Sequence, residues 1–266
     1  AREALFGLSL TVLILGLYLA MFHVQETQPW SDKHTLNAQQ KVLSDTSRLT
    51  EYKDASNSSK THHSDRESQK SFSQLVLYAS WQNRSLLALN QAGLVEKFVD
   101  ALIWVLLPVY LISLSLSLIE ASAIITVYAV VWGGSQLVTG PLSDKVGRKK
   151  LIVLGMWICG LGVFSLIHTQ SILGWTIEAA IIGVGMAMLY PTLGAAVADH
   201  SSAEERATIL GIYRFWRDFG YALGALLMGL IAEYTGQLES AFELVAVAML
   251  LSGILVVWLV SEDSPE

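Results

Sequence analysis

Apolar runs long enough to cross a bilayer alternate with short polar breaks along this chain, apart from one long polar tract near its start. A membrane helix needs about 20 mostly apolar residues. Seven stretches come close to that length: roughly 5–23, 94–118, 122–140, 151–168, 172–197, 210–233 and 241–260. Each is expected to be helical, because unpaired backbone groups are too costly in hydrocarbon. Glycines recur inside them (Gly155, Gly160, Gly162, Gly183, Gly185, Gly220, Gly224, Gly229), which suits close helix packing. The pattern predicts an all-α, polytopic membrane protein with seven transmembrane helices.

The polar tract, 24–71, is rich in Ser, Thr, Asp, Lys, Gln and His and poor in aromatic and branched apolar residues. It cannot bury enough surface to offset ordering entropy, so disorder is expected there. Over 72–93 the pattern changes. Phe72, Leu75, Val76, Ala79, Asn83, Leu86 and Leu87 fall at helical spacing, which predicts an amphipathic surface helix. The chain thus divides into a first span (1–23), a polar loop (24–71), a surface helix (72–93) and a six-helix bundle (94–262).

Composition agrees: 53% of residues are hydrophobic, 15% are charged, and the mean hydropathy is +0.48. A net charge of −6 without a basic stripe argues against a nucleic-acid partner. Of the 17 Lys and Arg, all but Arg2 fall on one side of the predicted membrane. By the positive-inside rule this places the polar loop, the turn after 140, the 199–209 loop and the C-terminus in the cytoplasm. Cys159 has no partner for a disulfide. No nucleotide-binding loop and no hydrolase or metalloprotease motif is present, so an enzyme is not expected. No cofactor or metal is expected either; the His62-His63 pair in a polar tract is too weak a signal.

One turn is unusual. Gly140-Pro141-Leu142-Ser143-Asp144-Lys145-Val146-Gly147-Arg148-Lys149-Lys150 packs a carboxylate and four cations between two apolar spans. Gly140 is expected to allow close helix approach, and Gly147 a positive-φ turn. The cations anchor the turn at anionic headgroups. The order Gly140-x-Leu142-Ser143-Asp144-Lys145-x-Gly147-Arg148-Lys149 resembles the signature loop of the major facilitator superfamily. There it joins the second and third helices of each six-helix half. The resemblance extends over nearly the whole chain. The first span is similar to that family's sixth helix, ending the N-terminal half, and the next six to helices seven to twelve, the C-terminal half. A member has twelve spans, so the chain is expected to be the C-terminal part of a longer protein whose N-terminal half is a partner. "NQAGLVEKFVDALIWVLLPVYL", "YPTLGAAVAD" and "GIYRFWRDFGYALGALLMG" resemble bacterial efflux or sugar-efflux permeases.

The resemblance implies a secondary active transporter in a bacterial inner membrane. It would move a small molecule by alternating access, with proton-coupled efflux expected. The alternatives are a transporter-like sensor or partner subunit, and a fragment without function. Candidate cavity residues are Asp100, Trp104, Tyr128, Trp132, Gln136, Tyr190 and Tyr221. Asp100 is expected about a turn and a half inside its span, either as a proton or salt-bridge site, or as an interfacial pair with Lys97 that snorkels to water. Asp199, Glu205, Arg206, Arg214, Arg217 and Asp218 are expected to form a cytoplasmic network near the turn that holds Asp144, closing a gate or merely decorating the surface. Within it, Arg214 and Asp218 are spaced to pair.

Overall fold

The computed structural model describes residues 71–261; the first span and nearly all of the polar loop lie outside the described residues. Helix α1 (Phe72–Leu77) opens with a capping box in which Ser71 and Gln74 satisfy each other's backbone. A π-helical turn follows over Tyr78–Gln82, and the chain breaks at Asn83. The Asn83 side chain accepts from Leu86 N at 3.0 Å and so starts α2 (Arg84–Ala101). The surface segment therefore ends at Asn83, and residues 84–93 belong to the same helix as the apolar residues after them.

A second π turn, Leu102–Leu106, separates α2 from α3 (Leu107–Ser113). Pro108 supplies no backbone N–H to continue an α-helical ladder, which is a local cause of this irregularity. The remaining helices are α4 (Leu118–Val146), α5 (Arg148–Leu166), α6 (Ile172–Asp199), α7 (Arg206–Thr235) and α8 (Glu239–Leu259). Gly147 sits between α4 and α5 at φ 100°, a conformation side chains resist, and Gly236 ends α7 in the left-handed region.

α4, α5, α6 and α8 are each long and apolar enough to cross a membrane. α2 is split from α3 by the π turn, and it carries charge in its interior; α7 opens on a charged stretch. Exposed apolar side chains such as Ile119, Leu137, Val138 and Trp258 line the outside of the bundle, as a protein solvated by lipid requires.

The pairing of helices has an internal order. α4 packs on α6, and α7 on α2; α5 packs on α6, and α8 on α2; α5 and α8 also meet. Exchanging α2, α4 and α5 for α6, α7 and α8 leaves this pairing unchanged. Because successive helices reverse direction, the two triplets are related as inverted repeats, and the junction between them is where ligand sites form in such folds.

Candidate functional site

Three ionisable side chains lie within one stretch of α2. Lys97 Nζ is 3.0 Å from Glu96 Oε1 and 2.6 Å from Asp100 Oδ2. All three are buried: Glu96 is 0% exposed, Lys97 2% and Asp100 1%. Asp100 lies about 24 Å along the helix from Arg84 at 1.5 Å per residue. The snorkelling pair is therefore corrected. α2 begins at Arg84, well ahead of the apolar run, so these groups lie deep in the bundle. Buried charge is tolerated only when paired and hydrogen-bonded. Asp100 meets that condition fully: Tyr128 OH donates to Oδ1 at 3.0 Å and Tyr221 OH to Oδ2 at 2.9 Å. Glu96 does not, since its Oε2 is buried without a hydrogen-bond partner among the described residues.

Aromatic rings from three other helices surround the trio. On α4, Tyr128 stacks with Trp132 at 6.3 Å between centroids, and Trp104 after α2 meets Tyr128 edge-on at 5.9 Å. Trp132 in turn meets Tyr190 of α6 edge-on at 5.6 Å. The Lys97 ammonium lies 5.1 Å from the Tyr190 centroid and 5.2 Å from that of Tyr221 on α7. The Arg217 guanidinium lies over Tyr190 at 5.1 Å and over Tyr213 at 6.0 Å. Trp104, Tyr190 and Tyr221 are each more than a third exposed, so the wall has an open side beside a closed charged core.

Glycines set how near the helices come. A side chain at Gly220 of α7 would strike the Leu94 carbonyl, and one at Gly224 would lie 2.7 Å from the Phe98 ring. That close approach of α7 to α2 brings the Tyr221 hydroxyl within reach of Asp100. A methyl group added at Gly140 or Gly229, by contrast, would meet nothing within 4 Å, so neither is a point of close helix contact among the described residues.

The charged end of the bundle is organised otherwise than the sequence spacing suggests. Arg148 NH2 is 3.5 Å from Asp144 and its Nε 2.9 Å from Asp199, so the signature turn is tied to the end of α6. Arg217 is not part of that group; it points to the aromatic wall and hydrogen-bonds its neighbour Asp218 at 3.3 Å. The expected Arg214–Asp218 pair is absent among the described residues: Asp218 takes Arg217 instead, and Arg214 is exposed. Just before α7 the Glu205 backbone N–H donates to the Ser202 hydroxyl at 3.3 Å, while Arg206 is exposed. Leu142 is half-buried; Lys145 is exposed and Lys149 half-buried, and neither has an ion pair among the described residues.

Of the cavity candidates, Asp100, Trp104, Tyr128, Trp132, Tyr190 and Tyr221 come together in one cluster. Gln136 is half-buried one turn beyond Trp132 and makes no side-chain hydrogen bond to the described residues. Sequence reasoning missed Glu96, although its i, i+4 spacing to Asp100 inside an apolar run was the available signal. It also assigned Arg217 to the wrong neighbourhood.

A family model described as Major Facilitator Superfamily matches residues 92–266. Among curated proteins, the chain is 33% identical over 117 residues to the methyl viologen resistance protein SmvA of Salmonella typhimurium, covering 42% of this chain and 23% of that protein. It is 27% identical over 142 residues to the quinolone resistance protein NorA of Staphylococcus aureus, covering 51% of this chain and 35% of that one. The matches thus span well under half the length of these relatives. Among solved structures, the peptide transporter POT in complex with sulfate superposes with a TM-score of 0.61 at 22% identity, over 71% of this chain and 41% of that one.

Proposed function

The chain belongs to the major facilitator superfamily, and from that premise we propose that it carries half of the machinery of a proton-coupled exporter of small molecules. One observation supports this reading above the others: the buried Glu96–Lys97–Asp100 trio, set where four helices converge behind a partly exposed aromatic wall. Within the trio the carboxylates outnumber the ammonium by one. A proton on either carboxylate, or a ligand's charge beside it, balances the difference. Ionisable groups held at this depth in a bundle are costly and are retained for such exchange. Resistance in the names of SmvA and NorA favours export over uptake.

In this reading the aromatic wall of Trp104, Tyr128, Trp132, Tyr190 and Tyr221 receives the solute, and the trio carries the proton. The contact of Arg148 with Asp144 and Asp199 latches the charged end in one of two conformations. The N-terminal six-helix half of the same protein supplies the other side of the cavity, and the two halves rock to alternate access. The protein would sit in a bacterial inner membrane with its C-terminus in the cytoplasm.

The test is dye accumulation in everted membrane vesicles containing the full-length protein, using cationic ethidium, neutral Nile red and anionic carboxyfluorescein. Accumulation of at least one dye that requires an inside-acid gradient and vanishes with nigericin is expected. Accumulation indifferent to nigericin would contradict proton coupling.

A further inference from the structure

Lys97 occupies the kind of surroundings that recognise a foreign cation. Its ammonium has two carboxylates at 3.0 and 2.6 Å and two tyrosine rings at 5.1 and 5.2 Å, and almost no exposure. Ring faces attract cations through their quadrupole, most strongly where water is excluded. Tyr190 holds two cations at once, since Arg217 lies over it as well. The components come from separate helices: the carboxylates from α2, Tyr190 from α6 and Tyr221 from α7. The ammonium alone hangs on a flexible four-carbon stem.

Resting on the export reading above, we propose that this cage is a binding site for organic cations, and that Lys97 is its tethered occupant. An incoming cation takes the place of the ammonium beside Asp100, Tyr190 and Tyr221, and Lys97 stays paired with Glu96. Two cations then face two carboxylates, so the exchange improves the charge balance of the trio. An anionic solute meets the opposite situation. To reach Lys97 it must displace Glu96 or Asp100, and Asp100 is fixed by the Tyr128 and Tyr221 hydroxyls. To reach Arg217 it must compete with Asp218 on the same helix.

The experiment is equilibrium binding to the purified full-length protein in detergent, read by tryptophan fluorescence and by calorimetry. The probe is benzyltrimethylammonium, with benzoate as the anionic control. Expected are saturable binding of the cation, no competition by benzoate, and an affinity about tenfold higher in Lys97→Met, which removes the resident competitor. Tyr190→Leu should weaken binding about tenfold, and Tyr190→Phe, which keeps the ring face, should restore it. Weaker or unchanged binding in Lys97→Met, competition by benzoate, or equal binding in Tyr190→Leu and wild type would each overturn the proposal. Should Lys97→Met fail to fold, the Tyr190 pair decides the question. Binding in detergent requires no transport. Cation binding as described without gradient-driven dye accumulation leaves the cage standing and removes the export reading; dye accumulation without cation binding does the reverse.

Discussion

Lys97 and its two carboxylates concentrate an electrostatic cost that the rest of the bundle must offset through hydrogen bonds. The Tyr128 hydroxyl is one of those bonds, donated to a buried carboxylate. Tyr128→Phe is therefore expected to destabilise the protein by about 1.5–3 kcal/mol, the range for hydrogen bonds to charged groups, read as a lower Tm. A Tm unchanged from wild type would show that the bond contributes nothing net. Asp100→Asn preserves an oxygen acceptor but removes the charge, and should abolish coupling to protons while leaving the aromatic wall in place. Asp100, Lys97 and the aromatic positions were legible in the sequence because charge is rare in apolar runs and the rings recur at helical spacing. Glu96 was obscured beside Lys97, where a neighbouring acid and base suggest a surface pair. Arg217 was misplaced because spacing shows only neighbours on the same helix. Tyr213 is such a neighbour, but Tyr190 reaches Arg217 from α6.

Helices α4 and α6 meet through a bond whose cause is local. Pro191 has no N–H, so the Ala187 carbonyl four residues earlier lacks its usual helical donor. Thr139 of α4 fills that role, its hydroxyl donating to Ala187 O at 2.6 Å. Thr139→Val should cost about 1–2 kcal/mol through the unsatisfied carbonyl, and Thr139→Ser should cost little. Equal Tm values for the two variants would contradict this. The contact of α7 with α2 depends likewise on Gly220, where Leu in place of Gly meets the Leu94 backbone rather than a yielding side chain. Gly220→Leu is expected to cost at least the roughly 1–3 kcal/mol of ordinary overpacking and to separate Tyr221 from Asp100. Glycine-rich spans announced close packing, but only three-dimensional contact distinguishes Gly220 and Gly224 from the unpacked Gly229. The π turns were invisible to periodicity, since each inserts one residue into a pattern that otherwise continues. The boundary of α2 was lost for a related reason: apolar residues run through both sides of Asn83, and the break is made by backbone and cap.

The six-helix bundle, its order and its likeness to a transporter half followed from the alternation of apolar runs, the asymmetry of Lys and Arg, and the turn from Gly140 to Lys150. The inverted pairing of its two triplets did not, because pairing depends on which faces meet. Within the bundle the aromatic wall stays partly open at Trp104, Tyr190 and Tyr221. The ion pairs of Arg148 lie at the charged end, with Asp144 and Asp199 each more than half exposed. Asp144→Asn should thus change stability by less than about 1 kcal/mol. If the contact latches one conformation, the same change should slow transport, measured as the initial rate of dye accumulation; an unaltered rate would reduce the pair to surface decoration. The most direct test of the central claim, that the buried trio exchanges a proton for solute, is proton movement itself. Everted vesicles containing the full-length protein are acidified, and the pH indicator acridine orange is followed as an exported compound is added. Wild type should release protons at once, and Asp100→Asn should release none. Proton release equal to that of wild type in both Asp100→Asn and Glu96→Gln would contradict the account.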